Sequence, residues 1–248
     1  MQAQTIDEVI QLLDEIIENA KKENNPAGYF AALYRKVTKR VKEGILNKEF
    51  EDGARMEKLD VLFANRYLEA HHTFFNGDVP TQSWQVAFHN TSRFWPIVLQ
   101  HLLWGINAHI NLDLGIAAAE TVAGGSLEEL KKDFDQINDL LAELVGEVQN
   151  ELSQIWPVLK YILALSDSID NFFINFSMER ARDGAWKFAN ELHLAKQEDR
   201  EQLILDRDTR IAEVAAYINP PGFIPRFIFG LIRLGERGTI KKRIKILE

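Results

Sequence analysis

The chain has no cysteine, seven prolines and three methionines among its 248 residues. Without cysteine there can be no disulfide and no thiolate metal site, and the composition fits a reducing compartment. A glycine-rich phosphate loop, a Gly-x-Ser-x-Gly elbow and a His-Glu-x-x-His pair are also missing, which removes the commonest sequence routes to a nucleotide-binding, serine-hydrolase or zincin reading. The opening MQAQTIDEVI has no basic stretch followed by an apolar run, so no secretory signal is read there and a cytoplasmic location is expected. Only the region near 94–119 approaches the length of a membrane span. It contains His, Asn, Gln and Asp, so a buried core helix is expected there and no transmembrane segment. A net charge of −8 argues against a general affinity for nucleic-acid backbone, and no nucleic-acid partner is expected.

What is present is helical periodicity almost throughout, with strand signals nearly absent. The fold class expected is all-α, one bundle-like domain over residues 1–248 arranged around a central buried helix at about 97–123. Thr5 with Glu8, and Ser126 with Glu129, have the spacing of capping boxes. Asn25-Pro26 and Trp95-Pro96 open helices, and Gly124-Gly125 closes the central one. A short apolar segment to Leu165 and a long helix capped near Ser166 or Asp167 and reaching about Ala195 are expected after Trp156-Pro157. Asn219-Pro220-Pro221-Gly222 then breaks the chain. Residues 219–248 form a basic, apolar C-terminal segment, with seven Lys/Arg against two glutamates, on a body that is near −13.

The central helix carries a polar set that an ordinary core does not need: Gln100, His101, Asn107, His109, Asn111 and Asp113 among leucines, isoleucines and alanines. A helix apolar nearly all round is buried nearly all round, so these groups must find partners on neighbouring helices. His109 and Asp113 are four apart, on one face. An imidazole and a carboxylate one turn apart can share a divalent metal ion, or serve as a general base with its orienting group. They can equally be a hydrogen-bonded pair that fixes helix register. His101 and Glu120 lie about 12 Å and 10 Å along the axis from this pair, too far to share an ion. A third ligand would come from another helix, with Asp60, Asp133, Asn138 or His71/His72 as candidates. Asn107 and Asn111 read as interhelical glue, and Trp84, Trp104 and Trp186 as core aromatics.

The segment Gln100-His-Leu-Leu-Trp-Gly-Ile-Asn107-Ala-His109-Ile-Asn111-Leu-Asp113-Leu resembles the signature of an uncharacterised, all-helical bacterial family, a domain of unknown function whose members carry an HLLLGxNAHINLDL-like stretch. The likeness continues in Leu33–Thr38, Leu59–Tyr67, Ser83-Trp84, Asp133–Asn138 and Arg182–Trp186, and so covers about residues 5–190. The resemblance implies the fold and the boundaries; it implies no activity. The basic tail and His71-His72 fall outside the shared pattern.

Two functions fit the residues. The first is a metal-dependent, hydrolase-like enzyme acting on a small or lipid-like substrate in a cavity beside the central helix. His109 and Asp113 would hold one divalent ion, Asp60 or Asp133 would complete the site, and Arg182 would neutralise a substrate anion. The second is a non-catalytic helical protein that binds a ligand or partner, with a polar core that serves only specificity. For the tail, residues 223–234 are too apolar for solvent and too short to span a bilayer. Docking on the acidic body is expected, with peripheral membrane contact through 223–247 as the alternative.

Overall fold

A computed structural model of the chain describes residues 2–157, 178–219 and 222–248. Its helices are α1 (Ile6–Glu23), α2 (Ala27–Leu46), α3 (Gly53–Phe75), α4 (Gln82–His89), α5 (Val98–Ala108), α6 (Leu114–Thr121), α7 (Glu128–Ile155), α8 (Met178–Leu194), α9 (Gln197–Ala215), α10 (Phe223–Gly235) and α11 (Ile240–Leu247). The described residues contain no strand, and the chain is all-α. The apolar segment to Leu165 and the helix start near Ser166 or Asp167 lie outside the described residues.

Local chemistry sets most of the boundaries. Thr5 Oγ1 accepts from the Glu8 N–H at 3.2 Å, and Glu8 reaches back to the Gln4 N–H at 2.7 Å, one residue earlier than a strict capping box requires. Asn25 accepts from the Ala27 N–H at 2.9 Å, at the start of α2. The second expected box does not form: α7 starts at Glu128 without a side-chain cap, and the Glu129 N–H bonds to the Ser126 carbonyl instead. α4 is capped in trans by Asp208, which accepts from the N–H groups of Gln82 and Ser83. α3 is capped by its own Asp52, which accepts from the Arg55 N–H at 3.0 Å, and Asp133 accepts from the N–H groups of Glu51 and Asp52 just before it. A carboxylate on orphan helix N–H groups also complements the helix dipole.

The central helix is not one α-helix. α5 and α6 are joined by a π-turn, His109–Asp113, in which the Leu114 N–H bonds to the His109 carbonyl five residues back. The turn contains one residue more than an α-turn, and such turns are frequent at functional sites. Arg207 on α9 pins it by donating to the Asn111 carbonyl at 3.0 Å. The half of the helix before the turn is bonded to the C-terminal half of α9. Gln100 donates to the Ile218 carbonyl at 3.0 Å, the Trp104 indole to the Ala215 carbonyl at 3.1 Å, and Asn107 to the Ile211 carbonyl at 3.0 Å. In this stripe the Trp104 and Gln100 bonds satisfy carbonyls that the end of α9 and the turn after it would otherwise leave unpaired, and the Asn107 bond adds a second donor to a carbonyl inside the helix. Asn111 adds to the stripe by donating to Asn107 at 3.0 Å.

α2 lies across the other side of α5, close enough that a Cβ on Gly105 would stand 2.3 Å from the Phe30 ring. The apolar core runs from Ala3 at one end of the chain to Ile244 and Leu247 at the other. α11 is therefore part of that core, packed on α1, α2 and α7. α10 docks through Phe229 and Ile232 against Ile97 and Trp156. The Glu236 carboxylate holds the tail in place. It accepts from the Val98 N–H at 2.6 Å, from Arg233 at 2.7 Å and from Arg243 at 2.9 Å. None of the described helices is long and apolar enough to cross a membrane.

Candidate functional site

The π-turn brings α2, α3 and α4 together around the His109 imidazole. α3 offers Asp60, Phe63 and Tyr67 on one face, at i, i+3 and i+7, with Arg66 beside them. α2 offers Phe30, Tyr34 and Thr38, and α4 offers Trp84. The imidazole lies flat on Phe63, with ring centroids 3.5 Å apart, and meets the Tyr34 ring edge-on at 4.4 Å. Phe30, Tyr67 and Trp84 complete an aromatic wall with centroids 5.7–6.1 Å from it.

Asp113 anchors the arrangement. Its Oδ2 accepts from His109 Nδ1 at 3.2 Å and from the Trp84 indole N–H at 2.8 Å, and its Oδ1 accepts from Arg66 Nε at 2.9 Å. A carboxylate can only accept, so Nδ1 carries the proton and Nε2 is left as the basic nitrogen. That Nε2 is buried and has no hydrogen-bond partner. Burial holds the His109 pKa below its ordinary value, against the opposing pull of the Asp113 hydrogen bond and charge, so the ring is neutral near pH 7.

His109 Nε2 has company. The Tyr67 hydroxyl and Asp60 Oδ2 are also buried side-chain atoms without a hydrogen-bond partner, and the Tyr34 and Thr38 hydroxyls beside them bond to each other. Burial, with a smaller contribution from Glu57, pushes the Asp60 carboxyl up to about 8, so it is protonated near neutrality. Burial holds the Tyr34 hydroxyl well above its usual range, with Asp60 and, more weakly, Asp113 adding to it and the hydrogen bond to Thr38 opposing it.

The remaining expected site residues go elsewhere. Asp133 has both oxygens occupied by the entrance of α3 and by Arg55 at 3.0 Å. Arg182 donates to the Phe134 carbonyl and stacks on the Phe134 ring at 4.4 Å, and burial lowers its pKa to about 10. Asn138 is half-buried and lines a shallow surface groove on α7. His101 is buried between Tyr29 and Trp104, and desolvation lowers its pKa to about 3. Asn107 is buried and Asn111 half-buried, both in the α9 stripe. His71 packs on Tyr67, Phe75 and Phe88, and His72 faces Asn76.

Sequence reasoning missed Arg66 and Trp84, the two donors that hold Asp113, and the Tyr34–Thr38–Tyr67 hydroxyls. Spacing alone marks Trp84 as a core aromatic and gives Arg66 no partner. The signal available was register: positions 60, 63 and 67 share a face of α3, and positions 30, 34 and 38 share a face of α2.

These features define an all-helical protein with a buried His–Asp pair seated on a π-turn and accompanied by unpaired polar atoms. The chain belongs to a family of unknown function, DUF5995, whose profile matches residues 6–221. No curated protein matches it, and no solved structure does. The family match covers the π-turn and its surroundings and stops just before α10 and α11.

Proposed function

We propose that the protein is a hydrolase-like acid–base enzyme that takes a small, largely apolar, uncharged carbonyl compound at the π-turn. The observation behind this reading is the set of three buried polar atoms without partners, His109 Nε2, the Tyr67 hydroxyl and Asp60 Oδ2, drawn from α3 and the π-turn. Each unpaired buried group costs roughly 1–3 kcal/mol, and a bound polar molecule would remove that penalty. The aromatic wall suits an apolar substrate body.

Two titratable groups with pKa values displaced in opposite directions define an acid and a base. Neutral His109, oriented by Asp113, accepts the proton of an attacking water through Nε2. Protonated Asp60 supplies a proton to the leaving group, and the Tyr34 and Tyr67 hydroxyls polarise the carbonyl oxygen. Phe63 and Arg66, both half-buried, are the members of the site nearest solvent and mark the way in. A divalent ion finds a poor donor set here. Both Asp113 oxygens already accept hydrogen bonds, one of them from an arginine, and among the described residues no three His, Asp or Glu side chains stand together as an ion site. No step is therefore assigned to a metal.

The flat stacking of His109 on Phe63 favours a second reading, a non-catalytic binding pocket in which the imidazole is only a ring in the wall. Turnover of a panel of chromogenic acyl esters separates the two. Under the enzyme reading, wild-type protein hydrolyses short-chain esters and His109→Ala loses about 100-fold or more in turnover while keeping its fold. If the wild type hydrolyses no member of the panel, or if His109→Ala retains wild-type turnover, the acid–base assignment fails.

A further inference from the structure

The tail was expected to dock on the body, with membrane contact as the alternative. It docks, but with only one face of α10. The other face carries Phe223, Phe227, Leu231 and Leu234, spaced i, i+4, i+8 and i+11, and all of them point to solvent. Next to this stripe, the loop before α5 exposes Phe94 and Trp95. Each of these six side chains is 51–81% exposed. The loop and the stripe form one surface. Arg233 donates to the Phe94 carbonyl at 2.6 Å and stacks on its ring at 4.9 Å, while Trp95 stands against Gly230 across a groove of about 860 Å³. A helix docked by one face should be polar on the other. A contiguous exposed patch of large aromatic and aliphatic residues marks an interaction surface.

Charge identifies the occupant. Arg93 and Arg226 line the groove and are exposed. Arg237, Lys241, Lys242 and Lys245 are exposed along the same C-terminal segment, which carries +5 on a chain whose remainder is near −13. Apolar wedges beside a basic rim, with tryptophan and phenylalanine at the boundary, have the chemistry of a surface that enters the interfacial region of an anionic bilayer. α10 has 13 residues, enough to lie in the interface and too few to cross it.

We propose that the outward face of α10, together with the Phe94-Trp95 loop, is a docking surface for an anionic membrane. The tail thus uses one face to dock on the body and the other to meet lipid. This inference rests on surface residues and is independent of the chemistry proposed at His109.

The test is co-sedimentation of the full-length protein with phosphatidylcholine vesicles, with and without phosphatidylserine, together with the tryptophan emission maximum. The expected result is binding to the anionic vesicles that weakens as salt is raised, with a blue shift from Trp95. Phe227→Ser/Leu231→Ser should reduce binding at least roughly tenfold with an unchanged circular dichroism spectrum and Tm, because neither side chain supports the fold. Arg93→Glu/Arg226→Glu should reduce the preference for anionic vesicles by a similar factor. The proposal is overturned if the wild type stays in the supernatant at low salt, or if the serine variant binds as well as the wild type. A wild type that ignores vesicles but forms a dimer that the serine variant abolishes would also overturn it, and would assign the face to a second copy of the chain.

Discussion

If the unpaired polar groups around His109 are kept for a ligand, removing one should make the protein more stable while harming function. Tyr67→Phe is the cleanest case. The Tyr67 side chain is fully buried, its hydroxyl has no partner, and burial alone raises its pKa. Phenylalanine keeps the ring, with its edge contacts to Phe30 and Trp84 at 5.1 Å, so almost nothing is lost except a desolvated hydroxyl. An unsatisfied buried polar group costs about 1–3 kcal/mol, so the variant should gain roughly 1–2 kcal/mol. In a chain of this length each kcal/mol moves Tm by about 2–4 °C. Urea denaturation followed by circular dichroism gives the free energy, and a thermal scan gives Tm. The same protein should lose ester turnover or small-ligand binding, the usual exchange between stability and a functional site. A Tyr67→Phe variant destabilised by more than about 1 kcal/mol would show that the hydroxyl has a structural partner, such as a buried water, and the orphan argument would fail at this position.

Other outcomes follow from the same geometry. His71, His101 and His109 are all held neutral by burial, with pKa values pushed down to about 4 for His71 and about 3 for His101 and lowered for His109. The unfolded chain protonates these rings near pH 6.5 and the folded chain does not, so their contribution is fully present above about 6.5 and falls as the pH drops. Asp60 has the opposite sign: its raised folded pKa, about 8, favours the fold at low pH and is lost as pH rises through 8. Stability measured in urea should therefore peak at about pH 6.5–7, and Asp60→Asn should flatten the decline between about 7 and 8. Parallel wild-type and Asp60→Asn profiles in that window would refute the assignment. Gly105→Ala places a Cβ 2.3 Å from the Phe30 ring and should destabilise by about 1–3 kcal/mol, read as a lower urea midpoint. Asp133→Ala strips two N–H groups and Arg55 of their acceptor and should cost about 3 kcal/mol without changing ester kinetics beyond the loss of folded protein. Asn107→Leu removes the donor to the Ile211 carbonyl and the acceptor of the Asn111 amide, and should lower Tm while the folded fraction keeps its turnover.

Much of this architecture could be read in the sequence, because helix periodicity and caps are local. The central buried helix, its flanking Trp95-Pro96 and Gly124-Gly125, and the His109–Asp113 contact all follow from spacing and polarity. Spacing could not say what each polar side chain would meet, since the partners lie 29 to 118 residues away. Asp60 and Asp133 look alike as isolated acidic residues on helices. One is left unpaired by its neighbours, and the other is saturated by the start of α3.

The π-turn is the clearest case of a feature the sequence hides and the site depends on. Four-residue spacing predicts that His109 stacks over Asp113 in a regular α-helix, and the contact does form. The extra residue in the turn, however, shifts everything after it by about 100° relative to everything before it. The donors at Gln100, Trp104 and Asn107 can thus face α9, while the helix beyond Asp113 packs on α3 and α8. A straight helix with one phase would have to compromise between these two sets of neighbours. The mismatch falls on the five residues that carry His109 and Asp113. There it is held from outside by Arg207 on the Asn111 carbonyl, and by Arg66 and Trp84 on the Asp113 carboxylate. A widened turn fixed by three donors from three other helices holds the imidazole at its start in one orientation, as the general-base role proposed for His109 requires.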